Sequence, residues 1–194
     1  VLLVPSVILM SQFSRPIIKI FYSVKYIDAA YPMSILAYGV GFLTIFYVMS
    51  FVMNGAGKTK TPMIISIAGV ALNTILNYIL IKKYALAGSA IATTITSGLV
   101  AISMLYCIYK NFGAFINIKS LLKMVFSGIV IYFISLYVSH GEFIFIFWSV
   151  ILFAFYLAMI YLLGEIKKED WDFAKNMMNK NKSKKFAEIA ESKT

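Results

Sequence analysis

Residues 72–96 read LNTILNYILIKKYALAGSAIATTIT. Two asparagines one helical turn apart sit in an otherwise apolar run, a lysine pair closes that run, and small residues follow. Asn73 and Asn77 continue a series with Ser66 and Gly69 at spacings of 3, 4 and 4, which places all four on one face of a helix. Beyond the lysines, eleven of the fourteen residues from Ala85 to Gly98 are Ala, Gly, Ser or Thr. Gly88, Ala92 and Thr96 form one ridge of small residues, and Ser89, Thr93 and Ser97 form the ridge beside it. Ridges of this kind let helix backbones approach closely on two sides, so the segment belongs in the interior of a bundle. With only Lys82–Tyr84 between them, the two halves are expected to form an antiparallel helical hairpin.

Charges measure out the rest of the chain, because an ion at the bilayer centre costs a few kcal/mol or more. The uncharged gaps are 29 residues between Asp28 and Lys58, 21 between Lys60 and Lys82, and 26 between Lys83 and Lys110. Two more, of 18 and 22 residues, run from Lys123 to Glu142 and from Glu142 to Glu165. A helix crosses the hydrocarbon in roughly 17–25 residues. Expected spans are Met33–Met53, Pro62–Ile81, Ala85–Tyr109, Leu121–Val138 and Phe143–Leu163. Val1–Ser14 begins abruptly inside an apolar run and reads as a helix cut in its middle, so the chain is expected to be the C-terminal part of a longer membrane protein.

Composition agrees. Of 194 residues, 61% are hydrophobic and 13% charged, against about 45–50% and about 25% in soluble domains. The net charge of +10 is therefore a property of membrane-edge loops and not of a nucleic-acid surface. Placing the tail from Glu165 on the inner side puts 13 basic residues inside and 5 outside, namely Arg15, Lys19, Lys25, Lys82 and Lys83. The cytoplasmic C-terminus follows from that asymmetry.

No constellation for catalysis, a cofactor or a metal is present. Cys107 is the single cysteine, and His140 lacks acidic or thiol partners at ligand spacing. Asn54-Gly-Ala-Gly-Lys-Thr resembles the end of a phosphate-binding loop, but Val52 stands where its first glycine is required. Pro62 suits the first turn of the next helix. Arg15 and Lys19, four apart, share a helical face that suits either a phosphate or simple headgroup snorkelling. For Asn73 and Asn77 the choice lies between interhelical hydrogen bonding and the wall of a polar path. The last two spans are bulky and apolar, with Phe143, Phe145, Phe147 and Trp148 at one end, and are expected to face lipid. Glu165–Lys180 has an amphipathic helical pattern, and Asn181–Thr194 reads as a solvated basic tail.

The order of these pieces resembles the multidrug, oligosaccharidyl-lipid and polysaccharide exporter superfamily, and most of all its polysaccharide (Wzx-like, O-antigen) flippases. SRPIIKIFYSVKYIDAA (14–30), MNGAGKTKTP (53–62), residues 72–96 and IKKEDWDFAKNMM (166–178) carry the likeness. The family has glycine where Ala85 stands, a departure from its pattern. The resemblance implies an all-α polytopic bundle, here five full spans plus a partial N-terminal helix, within a two-lobed, alternating-access flippase. It implies that 1–109 is the later part of the second transport lobe, 110–164 two added peripheral helices, and 165–194 a cytoplasmic helix and tail. The implied activity is translocation of lipid-linked oligosaccharides across the cell membrane. Membrane lipids, that lipid-linked glycan and a missing N-terminal lobe are the implied partners. Under it, Arg15, Lys19, Asn73 and Asn77 are candidate substrate contacts, while Ser66, Gly69, Gly88, Ala92 and Thr96 serve helix packing. A cation-coupled drug exporter of the same superfamily and a non-transporting membrane scaffold are the alternatives.

Overall fold

The computed structural model describes residues 2–113, 118–137 and 144–164. The expected turn Ser139–Gly141, with His140 and Glu142, the residue Phe143, and the tail from Glu165 lie outside the described residues. The described chain is helical throughout, with no strand. It comprises α1 (Leu3–Gln12), α2 (Ser14–Tyr22), a 3-10 turn (Val24–Ala29), α3 (Ala30–Gly55), α4 (Lys60–Phe112), α5 (Ile118–Tyr137) and α6 (Ile144–Leu162).

The turns follow from glycine. After α3, Gly57 adopts φ +75°, the Lys58 N–H bonds the Met53 carbonyl at 2.9 Å and the Gly57 N–H bonds that of Asn54 at 3.0 Å. This pair of bonds around a left-handed residue is a Schellman cap. The Gly-Lys-Thr triplet is thus a helix stop between two apolar helices. Gly113 ends α4 in the same left-handed region, its N–H on the Tyr109 carbonyl at 2.9 Å.

At 53 residues, α4 would be about 80 Å long if straight, more than twice the hydrocarbon core of about 30 Å. Instead it breaks at Ala85, whose φ of +46° and ψ of −127° are outside helical space. Its arms, 60–84 and 86–112, fold back on each other as the hairpin expected from the sequence. The seam is close enough to require glycine, because a Cβ on Gly88 would strike the Leu80 carbonyl. Further down, a Cβ on Gly69 would come within 2.6 Å of Val100 Cγ1. Ala92 between these levels is fully buried.

Burial divides into two cores. Phe46 and Met53 of α3 pack with Val100, Ala101, Met104 and Ile108 of α4. Leu9 and Phe13 pack with Ile131 of α5 and with Phe145, Leu152, Tyr156 and Ile160 of α6. Helix α1 joins the two, because Gly41 of α3 abuts Val7 on one side and Gly128 of α5 abuts Val4 and Ile8 on the other. At the end where α5 begins, Lys123 Nζ donates to the Leu163 carbonyl beyond α6 at 2.7 Å. At the same end of α4, Lys58 Nζ donates to Asn111 Oδ1 at 2.6 Å. Outward faces stay apolar: Ile64, Ile67 and Val70 are each at least 60% exposed. Val24–Gly55, Lys60–Phe112 and Ile144–Leu162 are long and apolar enough to cross a membrane, and Leu3–Gln12 and Leu122–Tyr137 are shorter apolar helices.

Candidate functional site

Polar side chains from both arms of α4 converge on one cavity. It measures about 300 Å³ and lies between α3 and the two arms of α4. Ser66, Gly69 and Asn73 come from the first arm, Thr93, Thr96 and Ser97 from the second, and Leu43, Phe46 and Tyr47 from α3. Among the described residues, no charged one lines it.

Its polar groups are largely engaged. Asn77 Nδ2 donates to Asn73 Oδ1 at 2.7 Å and to the Asn73 carbonyl at 3.0 Å. Asn73 Nδ2 in turn donates to Thr93 Oγ1 across the seam at 3.4 Å, a long bond. Ser97 Oγ donates back to the Thr93 carbonyl at 2.6 Å. The helical spacing of four is what makes the first contact possible, and the close approach of the arms that Gly69 and Gly88 permit makes the second. Thr96 is different. Its Oγ1 is buried with no hydrogen-bond partner among the described residues, a state that costs about 1–3 kcal/mol for a buried hydroxyl.

At Thr94 the second arm packs closely on α3. Thr94 Oγ1 donates to the Ile35 carbonyl at 3.1 Å, and a Cβ on Gly39 would lie 2.9 Å from Thr94 Oγ1. With the Asn73–Thr93 bond on the other side, α3 and both arms meet at this level. Thr93 also lines a second cavity.

Of the residues singled out from the sequence, Ser66, Gly69, Asn73 and Thr96 therefore line one space, with Asn77 bonded to it from the next turn. Gly88 and Ala92 form the seam beside it. Arg15 and Lys19 do not come to it. They are exposed on α2, whose Pro16 and Ile18 face inward, and they line neither cavity. The contribution of α3 was not anticipated, although Gly39 and Gly41 within an apolar span were a signal of close packing. Among the described residues no group of three or more His, Cys, Asp or Glu could hold a metal.

Comparison with known proteins gives three findings. A family model described as lipid II flippase MurJ matches residues 1–179. An uncharacterized membrane protein of Methanocaldococcus jannaschii is 32% identical over 139 residues, which is 70% of this chain and 27% of that protein. The solved structure of a lipid II flippase MurJ in an inward closed conformation superposes with a TM-score of 0.70 at 24% identity, covering 82% of this chain and 36% of the other. The likeness to that solved structure is one of fold. This chain spans 27% and 36% of the length of these two relatives.

Proposed function

The chain belongs to the MurJ lipid II flippase family, a family of transporters and not of enzymes, and from that premise we propose that it is part of a protein that carries a lipid-linked cell-envelope precursor across the membrane. The observation that carries the proposal is the family match over residues 1–179. The uncharged polar cavity inside an apolar fold supports it. In this reading α3 and α4 supply part of a transport lobe within 1–109. The pair α5 and α6, within 110–164, packs on α1 beside it, and the rest of the protein supplies the opposing lobe. Five spans and a partial first helix then cross the membrane, with the C-terminus in the cytoplasm as the lysine asymmetry requires.

Asn73 is the residue placed to meet a polar cargo or the water that accompanies it, because it lines the cavity while bonding Asn77 and Thr93. Arg15 and Lys19 act at the rim, on the exposed side of α2, where their spacing suits a phosphate group. The cargo is a precursor of lipid II type or a polysaccharide repeat of O-antigen type. Two strains discriminate them, one depleted of its lipid II flippase and one lacking its O-antigen flippase. The full-length protein is expected to restore growth in the first or surface polysaccharide in the second. Restoration of neither, with the protein present in the membrane, overturns the proposal.

A second reading has its own observation. The bonds from Asn77 to Asn73 and from Asn73 to Thr93 are what a packing role requires, and a scaffold would use these residues for stability alone. Transport and stability measured together on Asn73→Ala separate the two, because only the flippase reading requires transport to fall further than the amount of folded protein.

A further inference from the structure

Among the described residues, two that are not glycine hold a left-handed backbone, Ser23 at φ +79° and Ala85 at φ +46°. Each adjoins the second cavity, of about 460 Å³, because Tyr22 before the one and Leu86 after the other both line it. A residue with a Cβ enters this region only against a steric cost, and such residues gather at clamps and switches.

The two are restrained very differently. Just past Ala85 the arms of α4 are locked together, since a Cβ on Gly88 would strike the Leu80 carbonyl. The seam fixes that wall. Ser23 lies within the segment formed by α2 and the 3-10 turn, residues 14–29, which buries Ser14, Pro16 and Ile18 and no residue of the turn. At its start Phe13 is buried in the core shared with α5 and α6, and its φ of −93° and ψ of +18° separate α1 from α2. The segment is a strap, anchored at Phe13, strained at Ser23 and tied down by few apolar contacts, which is the pattern of an element of low local stability.

What the strap faces sets the direction of its movement. Across the cavity the wall is apolar, with Met33 and Leu36 of α3 and Leu86 of the second arm. From the strap, Tyr22 and Tyr26 line the same space while 63% and 55% exposed. Rotating Ser23 out of the left-handed region swings α2 relative to the turn, and an inward swing buries both rings in the cavity. We infer that residues 14–29 are a hinged strap that closes over this cavity, with Ser23 as the hinge and Tyr22 and Tyr26 as the side chains that fill it. The docking of Pro16 and Ile18 holds the strap open, while the strain at Ser23 and the exposed rings favour closure, the opposed terms that a two-state element requires. Thr93 lines both this cavity and the polar one, so the closed strap covers one of the two spaces that meet it. The inference stands whatever the protein carries.

The test measures the strap against the fixed second arm, by electron–electron distance measurement between spin labels at Phe21→Cys and Ile102→Cys, both exposed and outside the cavity wall, in full-length protein without other cysteines. Ser23→Gly removes the cost of the left-handed backbone and should enrich the open distance by about fivefold or more. Ser23→Val, β-branched and least tolerant of positive φ, should enrich a shorter distance. Tyr22→Ser with Tyr26→Ser leaves the hinge intact and should deplete that shorter distance. Ala85→Gly relieves strain on the seam-fixed side and should leave the distribution unchanged. The inference is overturned if Ser23→Gly and Ser23→Val shift the distribution in the same direction or not at all, if the tyrosine pair has no effect, or if Ala85→Gly acts as Ser23→Gly does.

Discussion

Replacing Ala85 by glycine should stabilise this protein, although the same exchange destabilises most helices. Ala85 has φ +46° and ψ −127°, a conformation in which its Cβ is crowded by its own backbone and which glycine adopts without penalty. Residues held in such regions store on the order of 1–3 kcal/mol. Glycine forfeits about 0.4–1 kcal/mol through the greater freedom of the unfolded chain. Ala85 is exposed, so no side-chain packing is lost with its methyl. The difference leaves a net gain on the order of 0.5–2 kcal/mol for Ala85→Gly. The comparison is Ala87→Gly, two residues on in regular helix, which should cost about 0.5–1 kcal/mol. Equilibrium unfolding of the full-length protein in mixed micelles measures both. Opposite signs are expected. If Ala85→Gly lowers stability as Ala87→Gly does, the break at Ala85 is not a strained left-handed residue, and the account of the hairpin tip fails.

Other outcomes follow from the seam and the cavity. Ala92→Leu forces a large side chain into a fully buried position between the arms and should cost about 1–3 kcal/mol in the same unfolding assay. Asn73→Ala removes the bonds to Asn77 and Thr93 and should cost on the order of 0.6–2 kcal/mol, with a loss of transport beyond what reduced folding explains. Thr96→Val deletes a buried, unpartnered hydroxyl at nearly constant shape; stability should be unchanged or rise by about 1–3 kcal/mol, and a clear loss would mean that Oγ1 has a partner in the membrane. For topology, Lys25→Cys and Ser183→Cys in a Cys107→Ser background should react with an impermeant thiol reagent from the outside and the inside respectively. Labelling from the reverse sides would refute the orientation.

The helix limits were legible because lysines mark where a span must stop. The gap from Lys60 to Lys82 and that from Lys83 to Lys110 locate the two arms of α4 almost to the residue. The register of Asn73 and Asn77 was legible too, since spacing by four leaves two amides no choice but one face, and the structure joins them directly. The turn at the Gly-Lys-Thr triplet was legible in the missing first glycine of a phosphate loop, and Gly57 makes it with a positive φ. Ala85 stands where the resembling family has glycine, and the chain turns back there through a backbone conformation that glycine favours. What the pattern did not reveal is which helices share a core. Helix α3 is apolar on every side, so no periodicity announces that Leu43, Phe46 and Tyr47 close the cavity. The place of α1 between α3 and α5 depends on Gly41 and Gly128 meeting it from two directions, a long-range fit with no local signature. The placement of Arg15 and Lys19 away from the cavity also depends on how α2 docks, through Pro16 and Ile18.

The central claim, that the chain is part of a flippase for a lipid-linked precursor, is tested most directly by following the cargo itself. In cells depleted of their own lipid II flippase and supplied with the full-length protein, the fraction of lipid-linked precursor open to an externally added hydrolase is the quantity to measure. That fraction should rise with the wild-type protein and fall back with Asn73→Ala at equal protein level. A precursor pool that stays shielded despite abundant, folded wild-type protein, in these cells and in cells charged with an O-antigen-type precursor, would contradict it.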